Sequence, residues 1–222
     1  IAGMTMIFGN GEEPSFSLGN VSSLFADGGT LRWNLAGDYT VDIPVVATNG
    51  TLQQYGKGKL TLSEVDLSDV LIQTEKDSGG MEILSGKGND ITIKNNSTNA
   101  PFLVQGCNFD GVNIYSDTKE TDSVVLKDNE MKNMNLAFNY APDSTQSLVF
   151  DGGNYVVTNN NFCVHSSNTV EVKSGELTFI RGQSTQYNFH SMPWKFTGGR
   201  SVFYHPVAWN QGFGADISGE GT

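Results

Sequence analysis

Two pairs of carboxylates have the spacing to do chemistry. Asp128 and Asp151 stand 23 residues apart, and Glu130 and Glu176 stand 46 apart. In a chain that winds once about every 23 residues, the first pair stacks on adjacent rungs at about 5 Å, near the separation used by retaining glycosidases. The second pair then spans two rungs, roughly 9 to 10 Å, close to the inverting range. Ionised, such groups serve as base or nucleophile at a glycosidic bond. Asp128 precedes Asn129 and Asp151 precedes Gly152, so both aspartates equally suit ordinary turns.

A second constellation is aromatic and lies in the C-terminal third: Tyr187, Phe189, His190, Trp194, Phe203, Tyr204, His205 and Trp209. Aromatic faces present large area with a polar edge, which suits stacking against sugar rings. Tyr187, His190, Trp194, His205 and Trp209 are therefore candidates for substrate binding. In the competing reading Trp194, Phe203 and Tyr204 are core and the others cap the last rung or face a neighbouring subunit. His165, His190 and His205 lack metal-site spacing and have no cysteine pair near them, so no metal is expected. No Walker loop, dinucleotide glycine pattern or nucleophile elbow is present, and no cofactor is expected.

The elements that would position these groups are legible as punctuation. Gly106-Cys107, Asn129-Glu130, Gly152-Gly153, Gly175-Glu176 and Gly198-Gly199 recur every 23 residues, each between short apolar runs such as Leu148-Val149-Phe150 and Tyr155-Val156-Val157. A fixed period in the range of about 20 to 50 residues marks a solenoid. Here the unit is strand, turn, strand and a longer loop. A strand of four or five residues cannot bury its apolar face alone, whereas strands stacked rung on rung form a continuous core. The fold class is therefore all-β, a right-handed parallel β-helix of seven to nine rungs, about 35 to 45 Å long at the strand spacing of about 4.8 Å.

Composition agrees. The 222 residues are 37% hydrophobic and only 17% charged, with a net charge of −11, so one sizeable core is expected. Without a basic cluster, nucleic acid is not expected as a partner. No apolar stretch approaches about 18 residues, and no membrane insertion is expected. The opening Ile1-Ala2-Gly3-Met4 has neither an initiator Met nor a basic flank, and reads as a processed product or a fragment. Cys107 and Cys163 are 56 residues apart, on the order of 10 Å in the solenoid, too far for a disulfide.

Residues 20–27, with Asn20 as a cap, apolar positions at helical spacing and Gly28-Gly29 as the stop, predict a short helix covering the first rung. The expected organisation is an N-terminal segment with that capping helix over 1–30, the β-helix over 31–206 and a C-terminal cap or tail over 207–222. A short helix, a Gly-Gly turn, the strand Thr30-Leu31-Arg32-Trp33, the turn Gly37-Asp38-Tyr39 and then stacked rungs resembles the entrance of the pectate-lyase-type β-helix of bacteriophage tailspikes and related polysaccharide-acting proteins. The resemblance implies a virion tail protein, or otherwise an extracellular one, that forms a homotrimer and recognises host surface polysaccharide. Two alternatives stay open: a polysaccharide hydrolase or lyase on the same scaffold, and a purely structural virion or adhesin component.

Overall fold

The computed structural model describes residues 3–116, 123–138, 147–162, 169–180, 194–204 and 217–218. These carry β1 (Thr5–Phe8), β2 (Leu24–Asp27), β3 (Thr30–Trp33), β4 (Tyr39–Val41), β5 (Val45–Gln54), β6 (Leu60–Leu62), β7 (Val65–Thr74), β8 (Met81–Ile83) and β9 (Gly86–Lys94). They continue as β10 (Phe102–Gln105), β11 (Cys107–Ser116), β12 (Val124–Phe138), β13 (Ser147–Phe162), β14 (Thr169–Ile180), β15 (Trp194–Phe196), β16 (Arg200–Tyr204) and β17 (Ile217–Ser218). Every ladder between them is parallel, and each strand pairs with strands one turn away, which makes the chain a β-solenoid.

Three faces wind around one core. The first stacks β2 on the opening halves of β5, β7, β9 and β11, then on the middle of β12 and β13, the end of β14, and β16. The second stacks β1, β3 and the closing halves of β5, β7, β9, β11, β12 and β13. The third stacks β4, β6, β8, β10, the starts of β12, β13 and β14, then β15 and β17. Alternation along each strand sends one column of every face inward: Ala47, Leu67, Phe109, Met131, Tyr155 and Leu177 from the first, Leu31, Leu52, Ile72, Ile93, Ile114 and Leu136 from the second, Val41, Leu62, Ile83, Val104, Leu126, Phe150 and Val172 from the third, all buried. Truncating one such Leu or Ile to Ala costs about 2 to 5 kcal/mol, because the neighbouring turns cannot collapse into the void.

The period is not constant. The register advances by 20 or 21 residues where Leu24 meets Val45, Val45 meets Val65, Val65 meets Gly86 and Gly86 meets Cys107, and by 22 or 24 where Asn108 meets Glu130, Glu130 meets Asn154, Asn154 meets Glu176 and Glu176 meets Arg200. The doublets mark the corner between the third and first faces, where Gly106, Asp128, Gly152, Gly153, Gly175 and Gly199 have positive φ. A second corner, between the first and second faces, recurs as Gly28, Asn49, Asp69, Asp90, Gly111 and Asn133, again all at positive φ. Asn and Asp populate this region more readily than other side chains, so the long strands bend there without needing Gly in every turn.

The expected helix over 20–27 is absent. Leu24–Asp27 is β2, with Leu24 and Ala26 buried and Phe25 and Asp27 exposed, and Gly28 serves the corner in place of a helix stop. Alternation against the β5 strand of the next turn outweighs the weak helical pattern, since two apolar residues facing one core reward pairing more than a two-turn helix rewards itself. The end of the core is covered by an extended segment: Phe16 stacks on Phe8 at 5.1 Å and on Tyr39 at 4.5 Å, and Phe8 stacks on Trp33 at 5.2 Å. Phe16 and Leu18 pack against the core from that segment. Corners between the second and third faces are held by buried polar groups; Thr74 Oγ1 donates to Asn95 Oδ1 at 2.6 Å and Ser97 Oγ to the Ser78 carbonyl at 2.8 Å.

The corners generate a sharp contrast. At Gly153, φ is 78° and an added Cβ would lie 2.2 Å from the Asn129 carbonyl oxygen of the turn below. Gly153→Ala should lower stability by about 1 to 3 kcal/mol in chemical denaturation. Asn133→Gly, at φ 50°, should stay within about 0.5 kcal/mol of the parent.

Candidate functional site

Register decides what the carboxylate pairs can do. Asp151 aligns with Lys127 and Asn129 with Gly153, so Asp128 stacks on Gly152 and not on Asp151. The Asp128 carboxylate lies over that glycine, 2.1 Å from where a Cβ would stand, while Asp151 Oδ1 accepts from Ser174 Oγ at 3.0 Å. The one-residue offset follows from the 24-residue step of this turn, which the constant period did not anticipate. Glu130 and Glu176 do lie two turns apart on one outward column of the first face, with Asn154 between them. Asn154 Nδ2 donates to Glu130 Oε1, and Arg200 pairs with Glu176 at 2.9 Å. The same column carries the Asp66–Lys87 ion pair at 3.1 Å, so it reads as a ladder of complementary polar groups along the axis.

Of the aromatic candidates, Tyr187, His190, His205 and Trp209 lie outside the described residues. Trp194 opens β15, in register with buried Val170 on one side and with Ile217 on the other. Phe203 and Tyr204 continue β16, aligned with Phe179 and Ile180.

A different surface emerges on the second face. Its outward positions recur in Thr30-Leu31-Arg32-Trp33, Thr51-Leu52-Gln53-Gln54, Leu71-Ile72-Gln73-Thr74, Thr92-Ile93-Lys94-Asn95 and Asn113-Ile114-Tyr115-Ser116. Stacking turns each position into a column: Thr30, Thr51, Leu71, Thr92, Asn113 and Asn135 in one, and Arg32, Gln53, Gln73, Lys94 and Tyr115 beside it. Successive members are spaced by about 4.8 Å. Asn135 Nδ2 donates to Asn113 Oδ1 at 3.0 Å, and Arg32 Nε donates to Gln53 Oε1 at 2.6 Å. Two cations lie over tyrosine rings, Arg32 over Tyr55 and Lys94 over Tyr115, each 5.3 Å from the ring centroid. Tyr55 is 49% exposed, so its ring is both held and open to a ligand. Amides and hydroxyls at regular spacing beside aromatic planes are the groups that hydrogen-bond and stack on sugars. The signal was in the sequence, as an apolar residue flanked by polar ones at steps of 20 or 21, but the C-terminal aromatics are the denser cluster.

Behind the corner of the candidate aspartates lies a buried polar network. Asn129 Oδ1 accepts from the Cys107 amide at 2.9 Å, and its Nδ2 donates to the Val104 carbonyl at 2.9 Å and to the Tyr155 hydroxyl at 3.3 Å. The amide thus replaces ladder bonds that the bend interrupts. Burial pushes the Tyr155 phenol up to about 12, against the hydrogen bonds from Asn129, and the carboxylates of Asp128 and Asp151 add to the rise. Burial alone likewise pushes the Cys107 thiol up to about 12; it is a free, buried core residue.

Because the folded phenol holds its proton above the ordinary value of 10.0, its contribution to stability is complete below pH 10 and is lost as pH rises through about 12. Melting temperature should therefore fall more steeply across that window in the parent than in Tyr155→Phe. Parallel profiles would count against the network. Compared with known proteins, the chain matches no family model, no curated sequence and no solved structure.

Proposed function

We propose that the chain is a tailspike-like virion module that binds host surface polysaccharide along its solenoid wall. The observation that carries this reading is the second-face ladder of half-buried Thr30, Thr51, Gln73, Thr92 and Asn113, which runs beside Tyr55 and Tyr115. A linear glycan laid along the axis meets hydrogen-bonding groups at each turn and an aromatic plane at both ends of the run. The rigid scaffold holds these groups in place before binding, which reduces the ordering cost of association. Binding is preferred over hydrolysis because Glu130, Asp151 and Glu176 are each engaged by a ladder partner. The C-terminal aromatics Tyr187, His190, Trp194, His205 and Trp209 remain a second proposed contact region.

A homotrimer is part of the same reading. The outward column of the third face carries half-buried Leu103 and Val125 in succession, between Glu82 and buried Val149, and parallel copies under cyclic symmetry would pack laterally along it.

Glycan-array screening followed by titration tests the reading. Tyr55→Ala should keep the parent melting temperature, since the ring is half exposed, and lose about 1 to 3 kcal/mol of glycan affinity. Equal loss of stability and affinity would make Tyr55 structural. Light scattering should give three times the 24.0 kDa of one chain, and a clean monomer at micromolar concentration would remove the trimer.

A further inference from the structure

We infer that Arg32 is a carboxylate anchor, so that the polysaccharide read by the second face is an acidic one bearing uronate-type or sialate-type groups; this rests on the glycan-binding reading above. The chain carries 24 Asp and Glu against 13 Lys and Arg, and four of the cations are paired across turns: Lys59 with Glu82, Lys87 with Asp66, Lys195 with Glu171 and Arg200 with Glu176. Arg32 is held in another way. Among the described residues it meets no carboxylate at ion-pair distance, although its guanidinium is held on two sides.

The holding is specific. Nε donates to Gln53 Oε1 at 2.6 Å, Gln53 is only 5% exposed, and the far end of that amide donates to Glu75 Oε1. Glu75 therefore fixes Gln53 and not Arg32, and the buried amide stands between the carboxylate and the guanidinium. The Tyr55 ring, 5.3 Å away, supports the guanidinium plane and is itself half exposed. With Nε used, the two terminal nitrogens remain as a fork, the geometry that grips a carboxylate with two parallel hydrogen bonds. On the N-terminal side the register neighbour is exposed, uncharged Ile7, which offers no competing charge. Lys94 lies three turns further along the same column, roughly 14 Å away, and is itself held over the Tyr115 ring.

The test uses calorimetric titration of the full chain with polygalacturonate, alginate, hyaluronate and polysialate, each beside its carboxyl-reduced form, with dextran sulfate as a charge control. At least one carboxylated polymer should bind, its reduced form should bind about tenfold more weakly or worse, and Arg32→Gln should lose a similar factor with an unchanged melting temperature. Arg32→Lys, which keeps the charge and loses the fork, should fall between the two; it also serves if Arg32→Gln fails to fold. Equal binding of reduced and carboxylated forms, or full affinity in both Arg32 variants, overturns the carboxylate anchor and leaves the glycan reading standing. Binding to dextran sulfate alone overturns it as non-specific charge attraction. Binding to none of the polymers, charged or reduced, and to no glycan on the array removes both.

Discussion

Everything in this chain depends on the parallel backbone ladder between one turn and the next. A short strand such as Leu60–Leu62 has no stable existence alone; its amides are satisfied only because Tyr39–Val41 lies below it and Met81–Ile83 above. The same stacking puts Val41, Leu62 and Ile83 into one buried column. Hydrogen bonding and hydrophobic burial are thus two consequences of a single register, and a slip of one residue would break both by turning the apolar column outward.

That constraint explains why irregularity is confined to corners. The strands must superpose, but the number of residues between them is free, so the turn-to-turn step ranges from 20 to 25 while the columns stay aligned. Residues at positive φ absorb the difference. At the first-to-second corner Asn and Asp alternate with Gly, whereas the third-to-first corner becomes glycine-rich where the turns crowd: Gly153 closes on the Asn129 backbone and Gly175 on that of Gly152 and Gly153. Asn129 adds a side-chain amide where the bend leaves the Cys107 amide and the Val104 carbonyl without strand partners.

The fold was legible because apolar alternation and corner residues are local signals repeated many times. Its exact winding was not. The doublets fall at 23-residue intervals only because they lie where the steps average between 22 and 24, and the aspartate pairing inferred from them fails by one residue at the 24-residue step that sets Asp151 over Lys127. The 20–27 helix failed for a related reason: Leu24, Phe25 and Ala26 fit two periods, and only the presence of Val45 and Ala47 one turn on selects the strand. For the candidate site, Glu130 and Glu176 were placed two turns apart correctly, but nothing in their spacing reveals that Asn154 and Arg200 occupy them. Arg32, Gln53 and Tyr55 were overlooked because their association is made by stacking of turns, not by closeness in sequence.

The division of labour between faces follows from the same geometry. In a solenoid every outward side chain has a neighbour of the adjacent turn at about 4.8 Å, so like charges in one column repel and complementary ones pair. On the first face the second outcome prevails, and Asp66 with Lys87 and Glu176 with Arg200 close the column upon itself. The second face carries instead uncharged Thr, Gln and Asn, with Leu71 among them, and cations set over tyrosines. Neutral amides and hydroxyls satisfy each other only in part, since each Gln or Asn carries more donors and acceptors than its two axial neighbours can use. Part of that capacity is spent within the columns, since Asn135 Nδ2 donates to Asn113 Oδ1 and Gln53, only 5% exposed, joins Arg32 to Glu75.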